Sequence, residues 1–230
     1  MLQRIRAFFG CRIERFLAGS EPITILSEDC WGGEFCRTLQ RPYTTPLAGS
    51  LIPPRNYLNF LENITKPDAL AIEPVPSSES HPVGKTPYAT IHFLHFATWD
   101  EAKDKFQRRS RRIAWHRLYY KIDFGKPGYT QRDVERWNSL HLNRCIALIP
   151  VTTPPGLDFT GLHNAVRVPD WCDDGSAMFY AARRHFSFHD WIHTGRLRQS
   201  LLAQTLNILL YDLYYPSLVR NKLRGLLPKT

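Results

Sequence analysis

Residues Thr90 to Ile113 read TIHFLHFATWDEAKDKFQRRSRRI, and this stretch decides the fold class. It opens with the apolar run Ile91–Phe96, which is too short for a buried helix and is rich in aromatic and branched residues, as core strands are. Thr98 then offers a hydroxyl that can cap the next helix, and Glu101 stands three residues later to complete a capping box. The stretch therefore predicts a strand, a short turn and a capped helix, which is one unit of an α/β fold.

The rest of the chain repeats this alternation. Strands are predicted at residues 22–26, 47–52, 70–75, 118–124, 145–151 and 165–169, with helices between most of them. We therefore expect an α/β fold with a mostly parallel, Rossmann-like sheet and helices on both faces, in a three-layer α/β/α arrangement. The alternative is a mixed sheet, with parallel and antiparallel strands.

Composition divides the chain into three segments. We expect a basic amphipathic N-terminal segment over residues 1–19, an α/β domain over 20–197, and a C-terminal apolar helix with a basic tail over 198–230. The first segment has the composition of a helix that lies on an anionic membrane surface. Gly10 weakens such a helix, which favours a helix docked on the domain or a frayed terminus.

The net charge of +9 favours anionic partners, which are phosphorylated small molecules, an acidic membrane surface or nucleic acid. Nucleic acid is disfavoured, because no nucleic-acid-binding motif is present. Five cysteines without a CxxC pair indicate free thiols in a reducing cytosol. No stretch approaches the roughly 20 apolar residues of a transmembrane helix, and arginines interrupt any signal peptide. We expect a cytoplasmic protein, and association with the inner face of the membrane stays open.

The first candidate site follows the first predicted strand. Gly32 and Gly33 precede a helix and would let a ligand phosphate approach its free amides. Asp29 and Glu34 flank them and could bind sugar hydroxyls or act as a base. Trp31, Gly32, Gly33 and Glu34 are therefore the candidate substrate- or phosphate-binding residues of this turn. The alternative is a tight strand-to-helix turn with Trp31 packed down into the domain.

His92 and His95 point to opposite faces of a regular strand, so they cannot share one metal ion. His95 stands at the carboxyl end of the predicted strand, where ligands bind in this fold, and is the candidate general base or anion contact. The alternative is a histidine packed in the core.

Four arginines end the helix of the opening stretch. The acidic partners run out before Arg108, Arg109, Arg111 and Arg112, so Arg108, Arg109 and Arg112 are candidates for a phosphate clamp. The alternative is a solvated helix face whose cations favour the helix C-terminus.

Two further patterns could hold metal, and neither is assigned one. Asp173 and Asp174 could bind Mg²⁺ with a nucleotide diphosphate, but the turn and helix-cap interpretation is favoured. His185, His189 and His193 recur every fourth residue, but their aromatic neighbours indicate packing. Apart from a nucleotide-sugar donor, no cofactor is expected, and Mg²⁺ dependence stays open.

Several motifs stand in a particular order: ILSEDCWGG (25–33), YTTP (43–46), HPVG (81–84), HFLHF (92–96), WDEA (99–102) and RRSRRI (108–113). In this order they resemble a bacterial family known as domain of unknown function 1919, often labelled exopolysaccharide biosynthesis proteins. The resemblance covers roughly residues 20–195. It implies an α/β domain and a place in capsule or exopolysaccharide loci.

The resemblance and the candidate residues together favour an enzyme of surface-polysaccharide assembly, a glycosyltransferase-like or related group transferase. Its partners would be a phosphorylated, nucleotide-sugar donor and a saccharide acceptor. Gly32 and Gly33 would approach the donor phosphates, the arginines would neutralise them, and His95 or Asp29 would deprotonate the acceptor hydroxyl. The alternative is a non-catalytic assembly or binding protein of a polysaccharide locus, peripheral to an anionic membrane.

Overall fold

The computed structural model describes the backbone of residues 2–197 and of residues 201, 202 and 205. Apart from these three positions, the segment predicted over 198–230 lies outside the described residues. In chain order the elements are α1 (Leu2–Leu17), β1 (Thr24–Ser27), α2 (Trp31–Thr38), α3 (Pro54–Asn63), β2 (Glu73–Val75), β3 (Val83–Lys85), β4 (Thr90–His92), α4 (Trp99–Ser110), a 3-10 turn (Trp115–Arg117), β5 (Leu118–Asp123), α5 (Gln131–Ser139), β6 (Cys145–Pro150), β7 (Ala165–Val168), α6 (Gly175–Ala182) and α7 (Phe188–Thr194).

A four-stranded parallel sheet forms the centre of the fold, with strand order β1-β5-β6-β7. Nearly every residue of β1, β5 and β6 is buried, which fits the continuous apolar runs of strands covered on both faces. Ser27 at the end of β1 pairs with Lys121 in β5, so the residues that follow β1 lie beside the second half of β5. This register positions the candidate site.

Helices cover both faces of this sheet. Ile25 and Leu26 are neighbours in β1 and point to opposite faces, where each joins a different hydrophobic cluster. Leu26 packs with the cluster that includes α3 and α5, whereas Ile25 packs with the cluster that includes α2, α6 and α7. The three-layer α/β/α arrangement predicted from the sequence is confirmed.

The opening stretch does not join the central sheet, which corrects one expectation. Its strand is only Thr90–His92 and pairs antiparallel with β3 in a separate three-stranded sheet of β2, β3 and β4. The chain turns after His92, because Phe93 and Phe96 pack edge to face in the core instead of continuing a ladder. The strand expected over 47–52 reduces to an isolated bridge between Leu51 and His92.

The helix start predicted at Thr98 is confirmed. The Thr98 hydroxyl accepts a hydrogen bond from the amide of Glu101 (3.3 Å), and the Glu101 carboxylate accepts one from the amide of Ala97 (3.4 Å). Thr130 and Asp133 form a complete capping box at the start of α5. These bonds satisfy amides that a helix leaves free at its first turn.

Helix α1 docks on the domain through buried residues of its second half. Cys11 and Ala18 are buried, and the carboxylate of the buried Glu14 pairs with the guanidinium of Arg183 at 2.7 Å. Burial alone would raise the pKa of Glu14, but Arg183 and His189 outweigh it and lower the pKa to about 2. Among the described residues, no helix combines the length and apolarity that a membrane crossing requires.

Candidate functional site

A cleft of about 430 Å³ opens beyond the last residue of β1, at the carboxyl end of the parallel sheet. It brings together the start of α2, the loop before α3, the turn after β4, one side of α4 and the start of α6. Its lining residues are Cys30, Gly33, Glu34, Arg37, Tyr43, Ala48, Gly49, His95, Phe96, Lys105, Arg109 and Ser176.

The two glycines have different places. Both lie in the first turn of α2, which begins at Trp31 and not after the glycines. A β-carbon on Gly32 would lie 2.3 Å from the carbonyl oxygen of Ile25, so Gly32 lets α2 pack against β1. Its amide donates to the Ser27 hydroxyl at 2.9 Å, which withdraws that amide from any ligand. Gly33 lines the cleft.

Trp31 belongs to the core. Its side chain is fully buried, and its ring meets Phe179 edge to face at 4.9 Å and Trp191 at 6.1 Å. It does not line the cleft. Trp31 is therefore a core residue, as the alternative interpretation states. Its ring packs α2 against α6 and α7, which cover the same face of the sheet.

The three candidate arginines lie in three different environments. Arg109 lines the cleft and donates to the carbonyl oxygen of Ala48 at 2.6 Å, with its guanidinium 4.6 Å from the centre of the Tyr43 ring. Arg108 is exposed and lies 3.7 Å from Asp104, as expected for a solvated helix face. Arg112 lines a different cavity, because it stands beyond the end of α4 at Ser110.

Arg109 has no carboxylate partner among the described residues. Burial lowers the pKa of its guanidinium, because desolvation penalises the charged form. The other two cations of the cleft are paired: Arg37 with Glu34, and Lys105 with Glu101 at 2.6 Å. Arg109 is therefore the cleft cation best placed to meet an anionic ligand.

His95 is exposed and lines the same cleft as Gly33 and Arg109. Its amide donates to the carbonyl oxygen of Gly49 at 3.2 Å, which fixes the turn after β4 against the loop before α3. His92 instead approaches His81, with ring nitrogens 3.2 Å apart, away from this lining. The two histidines thus have separate surroundings. The strand on which the spacing argument relied ends at His92, so His95 lies in the turn after it.

Glu34 is buried at the cleft wall, with two polar partners. Its carboxylate accepts from the Arg37 guanidinium, including the Nε–Oε2 bond of 2.8 Å, and from the Tyr180 hydroxyl. The neighbouring Cys30 is a poor nucleophile, because burial and the Asp29 charge raise the pKa of its thiol to about 11. Glu34 thus anchors a cation that faces the cleft.

Asp29 belongs to a buried group of charges that the sequence did not reveal, here termed the carboxylate–lysine cluster. Its members are Glu28, Asp29, Lys121, Asp123 and Lys126. The Lys121 ammonium lies 2.8 Å from Asp29, 3.2 Å from Glu28 and 3.9 Å from Asp123. Lys126 adds a second contact to Asp29 at 3.3 Å.

The two adjacent carboxyl groups of this cluster differ in their acidity. Burial would raise the pKa of Asp29, but Lys121 and Lys126 outweigh it and lower the pKa to about 2. Burial raises the pKa of Glu28 to about 7, because Lys121 offsets only part of the desolvation and the Asp29 charge adds repulsion. Asp29 is therefore ionised and paired, whereas Glu28 holds a proton under mildly acidic conditions.

Oxygen atoms of Glu28, Asp29 and Asp123 lie within 4.8 Å of one another, a spacing that a metal ion could use. The Lys121 ammonium already contacts all three carboxylates and supplies positive charge at their centre. A lysine within the apolar strand predicted at 118–124 was the signal that could have indicated this cluster.

The two patterns considered for metal have other partners. Asp174 caps α6 by accepting from the amide of Ala177 at 2.7 Å, which agrees with the favoured turn and cap interpretation. The three histidines meet three different groups: His185 meets Asp170, His189 meets Glu14, and His193 donates to the Leu17 carbonyl oxygen.

Comparison with known proteins identifies the family to which the chain belongs. Residues 3–155 match the model of domain of unknown function 1919, and this range is well over half of the 230 residues. The chain belongs to this family. The family match starts nearer the N-terminus and ends earlier than the range 20–195 expected from the motifs, and it includes Gly33, His95 and Arg109 but not Ser176.

A relative of the chain occurs in Haemophilus influenzae and is described as an uncharacterized protein. It is 28% identical over 141 residues, which is 60% of this chain and 66% of the relative. The chain thus spans just under two thirds of that protein's length. Neither the family description nor the description of this relative states a reaction.

Proposed function

We propose that the chain is a glycosyltransferase-like group transferase of surface-polysaccharide assembly, which binds a phosphorylated nucleotide-sugar donor in the cleft. The observation that carries this proposal is that Gly33, His95 and Arg109, from three separate segments, line one cavity. Its volume of about 430 Å³ is within the range of ligand sites. The polysaccharide context comes from the sequence resemblance.

Arg109 would bind the donor phosphates. A guanidinium without a carboxylate partner is well suited to a phosphate, which it binds bidentately, and the Tyr43 ring and Ala48 carbonyl hold it in place. Gly33 would contribute backbone at the start of α2 to the wall that faces the phosphates. Its missing side chain lets the loop before α3 pack closely on α2, since a β-carbon there would lie 2.9 Å from that of Ala48.

His95 would act as general base. It would take the proton of an acceptor hydroxyl while that oxygen forms a bond to the donor sugar carbon. The bond between the sugar carbon and the phosphate oxygen breaks, and its electron pair leaves with the phosphate, whose charge Arg109 stabilises. Asp29 is less suited to this role, because its carboxylate is buried, paired with two lysines and weakly basic.

The test combines donor binding with transfer by the purified chain. We expect one or more nucleotide-sugars to raise the melting temperature, Arg109→Gln to abolish that rise, and His95→Gln to keep it while transfer is lost. Arg108→Gln is the matched control, because Arg108 is exposed and outside the cleft. Absence of stabilisation by any nucleotide-sugar, together with full polymer production by the Arg109 variant in cells, would refute the proposal.

The second candidate, a non-catalytic assembly protein at an anionic membrane, is favoured by a different feature. Phe16 is 84% exposed on α1, next to the exposed Arg15. In that case His95→Gln would leave polymer output intact, whereas Phe16→Ser would reduce binding to anionic vesicles.

A further inference from the structure

A second cavity, here termed the groove, lies near the start of β1, whereas the cleft lies beyond its end. It has a volume of about 460 Å³, and residues 20, 22 and 23, just before β1, form part of its lining. The remaining lining comes from α1, from the middle of α2 with the loop after it, and from the chain just beyond α4. Helix α4 thus leads from Arg109 in the cleft to Arg112 in the groove.

Three guanidinium groups line this groove: Arg15, Arg41 and Arg112. None of them has a carboxylate partner within the part of the chain that the structure describes. Arg41 makes only two long bonds, to the backbone carbonyl oxygens of Glu21 (3.3 Å) and Arg15 (3.4 Å). Burial lowers the pKa of Arg41, and the positive charge of Arg15 lowers it further.

Like charges brought together without counter-charges repel one another, so an anion that binds between them gains both attraction and relief of that repulsion. Guanidinium groups match the oxygens of a phosphate bidentately. The charges of the groove therefore favour an anionic group with several oxygens, such as a phosphate.

Much of the remaining lining is apolar. The exposed Pro22 and Pro42 form these walls together with the edges of the nearly buried Ile23 and Phe35. Ser20, Cys36 and Thr44 complete the lining, and Phe16 stands exposed next to Arg15 on α1. These apolar walls would not strengthen the binding of a free phosphate ion, because the ion has no apolar surface to bury. A ligand with an apolar chain next to its phosphate would use both parts.

We propose that the groove binds a phosphate group carried on an apolar chain, such as an alkyl or prenyl phosphate. The guanidinium groups hold the phosphate, and the chain lies along the proline, isoleucine and phenylalanine walls. This inference does not depend on transfer in the cleft, because binding to the groove is measured without a donor.

The test is calorimetric titration of the purified chain with octyl phosphate below its micelle concentration, with inorganic phosphate, and with octyl glucoside. Because several methylene groups are buried, octyl phosphate should bind at least about tenfold more tightly than inorganic phosphate. Octyl glucoside, with the same chain and a neutral head, should bind weakly. Arg41→Gln and Arg112→Gln should each weaken octyl phosphate binding about tenfold or more, as expected for loss of a charge-assisted contact.

Two control variants locate the ligand. Arg111→Gln removes the same charge from an exposed neighbour that does not line the groove, and Arg109→Gln removes a cation from the cleft. Arg111→Gln should leave octyl phosphate affinity unchanged, and tight octyl phosphate binding should persist in Arg109→Gln. Equal affinity for octyl and inorganic phosphate, binding that survives in both groove variants, loss of binding in Arg109→Gln alone, or no binding at all would each overturn the proposal.

Discussion

Replacing Glu28 by glutamine should change how the stability of the fold depends on pH. Glu28 is fully buried, and its carboxyl group faces two carboxylates and two ammonium groups, of which Lys121 is in direct contact. Glutamine has nearly the same shape and keeps an oxygen that can accept from Lys121, which lies 3.2 Å from the carboxylate. The substitution therefore removes the titration of residue 28 while it preserves most of its packing.

The magnitude follows from the pKa of Glu28, which burial raises from 4.5 to about 7. In the unfolded chain this carboxyl group ionises near its ordinary pKa, so between these values the folded state binds more protons. Stability must then fall as pH rises through this window, by about 3 kcal/mol at about 1.4 kcal/mol per pKa unit. Asp29 makes the opposite contribution, because its pKa is lowered from 3.8 to about 2. Both values lie below this pH window, so the contribution of Asp29 to stability stays constant within it.

Urea denaturation of both proteins at pH 5, 6, 7 and 8 measures this effect. The advantage of Glu28→Gln over the wild type should be smallest at pH 5 and largest at pH 8, where its midpoint should be higher by about 1 M urea for a slope near 3 kcal/mol/M. The difference between the two proteins cancels the titration of the histidines. Glu135→Gln, at an exposed position, is the control and should follow the wild type throughout. If the difference in midpoint between Glu28→Gln and wild type is the same at all four pH values, Glu28 does not hold a proton in the folded state and the reasoning fails.

Three further variants test the packing around the site. Lys121→Met should destabilise the fold by about 3–5 kcal/mol in urea denaturation, because it leaves buried carboxylates without their central cation; a loss below about 1 kcal/mol would contradict this. Gly32→Ala should lower stability by about 1–3 kcal/mol despite the better helix propensity of alanine, since its β-carbon would lie 2.3 Å from the Ile25 carbonyl oxygen. Glu14→Gln should release α1 and speed proteolysis within residues 9–17, because it removes the buried negative charge that pairs α1 with Arg183 at 2.7 Å; unchanged proteolysis would show that α1 is held by other contacts.

Local patterns in the sequence predicted most elements of the fold, because each depends on neighbouring residues. Thr98 and Thr130 cap helices where the capping rules place them, and the apolar runs at 118–124 and 145–151 form central strands. The prediction from the run Ile91–Phe96 was wrong about the sheet that its strand joins. The composition of the run favours a strand but does not determine the partner of that strand. Only the structure shows that its aromatic residues turn into the core.

The sequence predicted only part of the candidate site, because local patterns do not determine which way a side chain points once distant segments pack together. Gly33, His95 and Arg109 meet at one cleft because each stands where an element begins or ends near the carboxyl edge of β1. Trp31 and Arg112 do not line it, because their directions depend on where α2 begins and where α4 ends. Helix ends are the least certain part of any pattern, and a shift of one or two residues moves a side chain to another face.

The carboxylate–lysine cluster connects the stability of the fold to the shape of the cleft. Asp29 pairs with Lys121 in β5, accepts from the amide of Trp31 at 3.0 Å, and leaves no room for a β-carbon on Gly175, where α6 begins. One side chain thus fixes the starts of two helices, and Ser176 in the first turn of α6 lines the cleft. This makes Asp29 a positioning residue, because an ionised carboxylate with these contacts can hold two walls in place but cannot readily take a proton from a substrate.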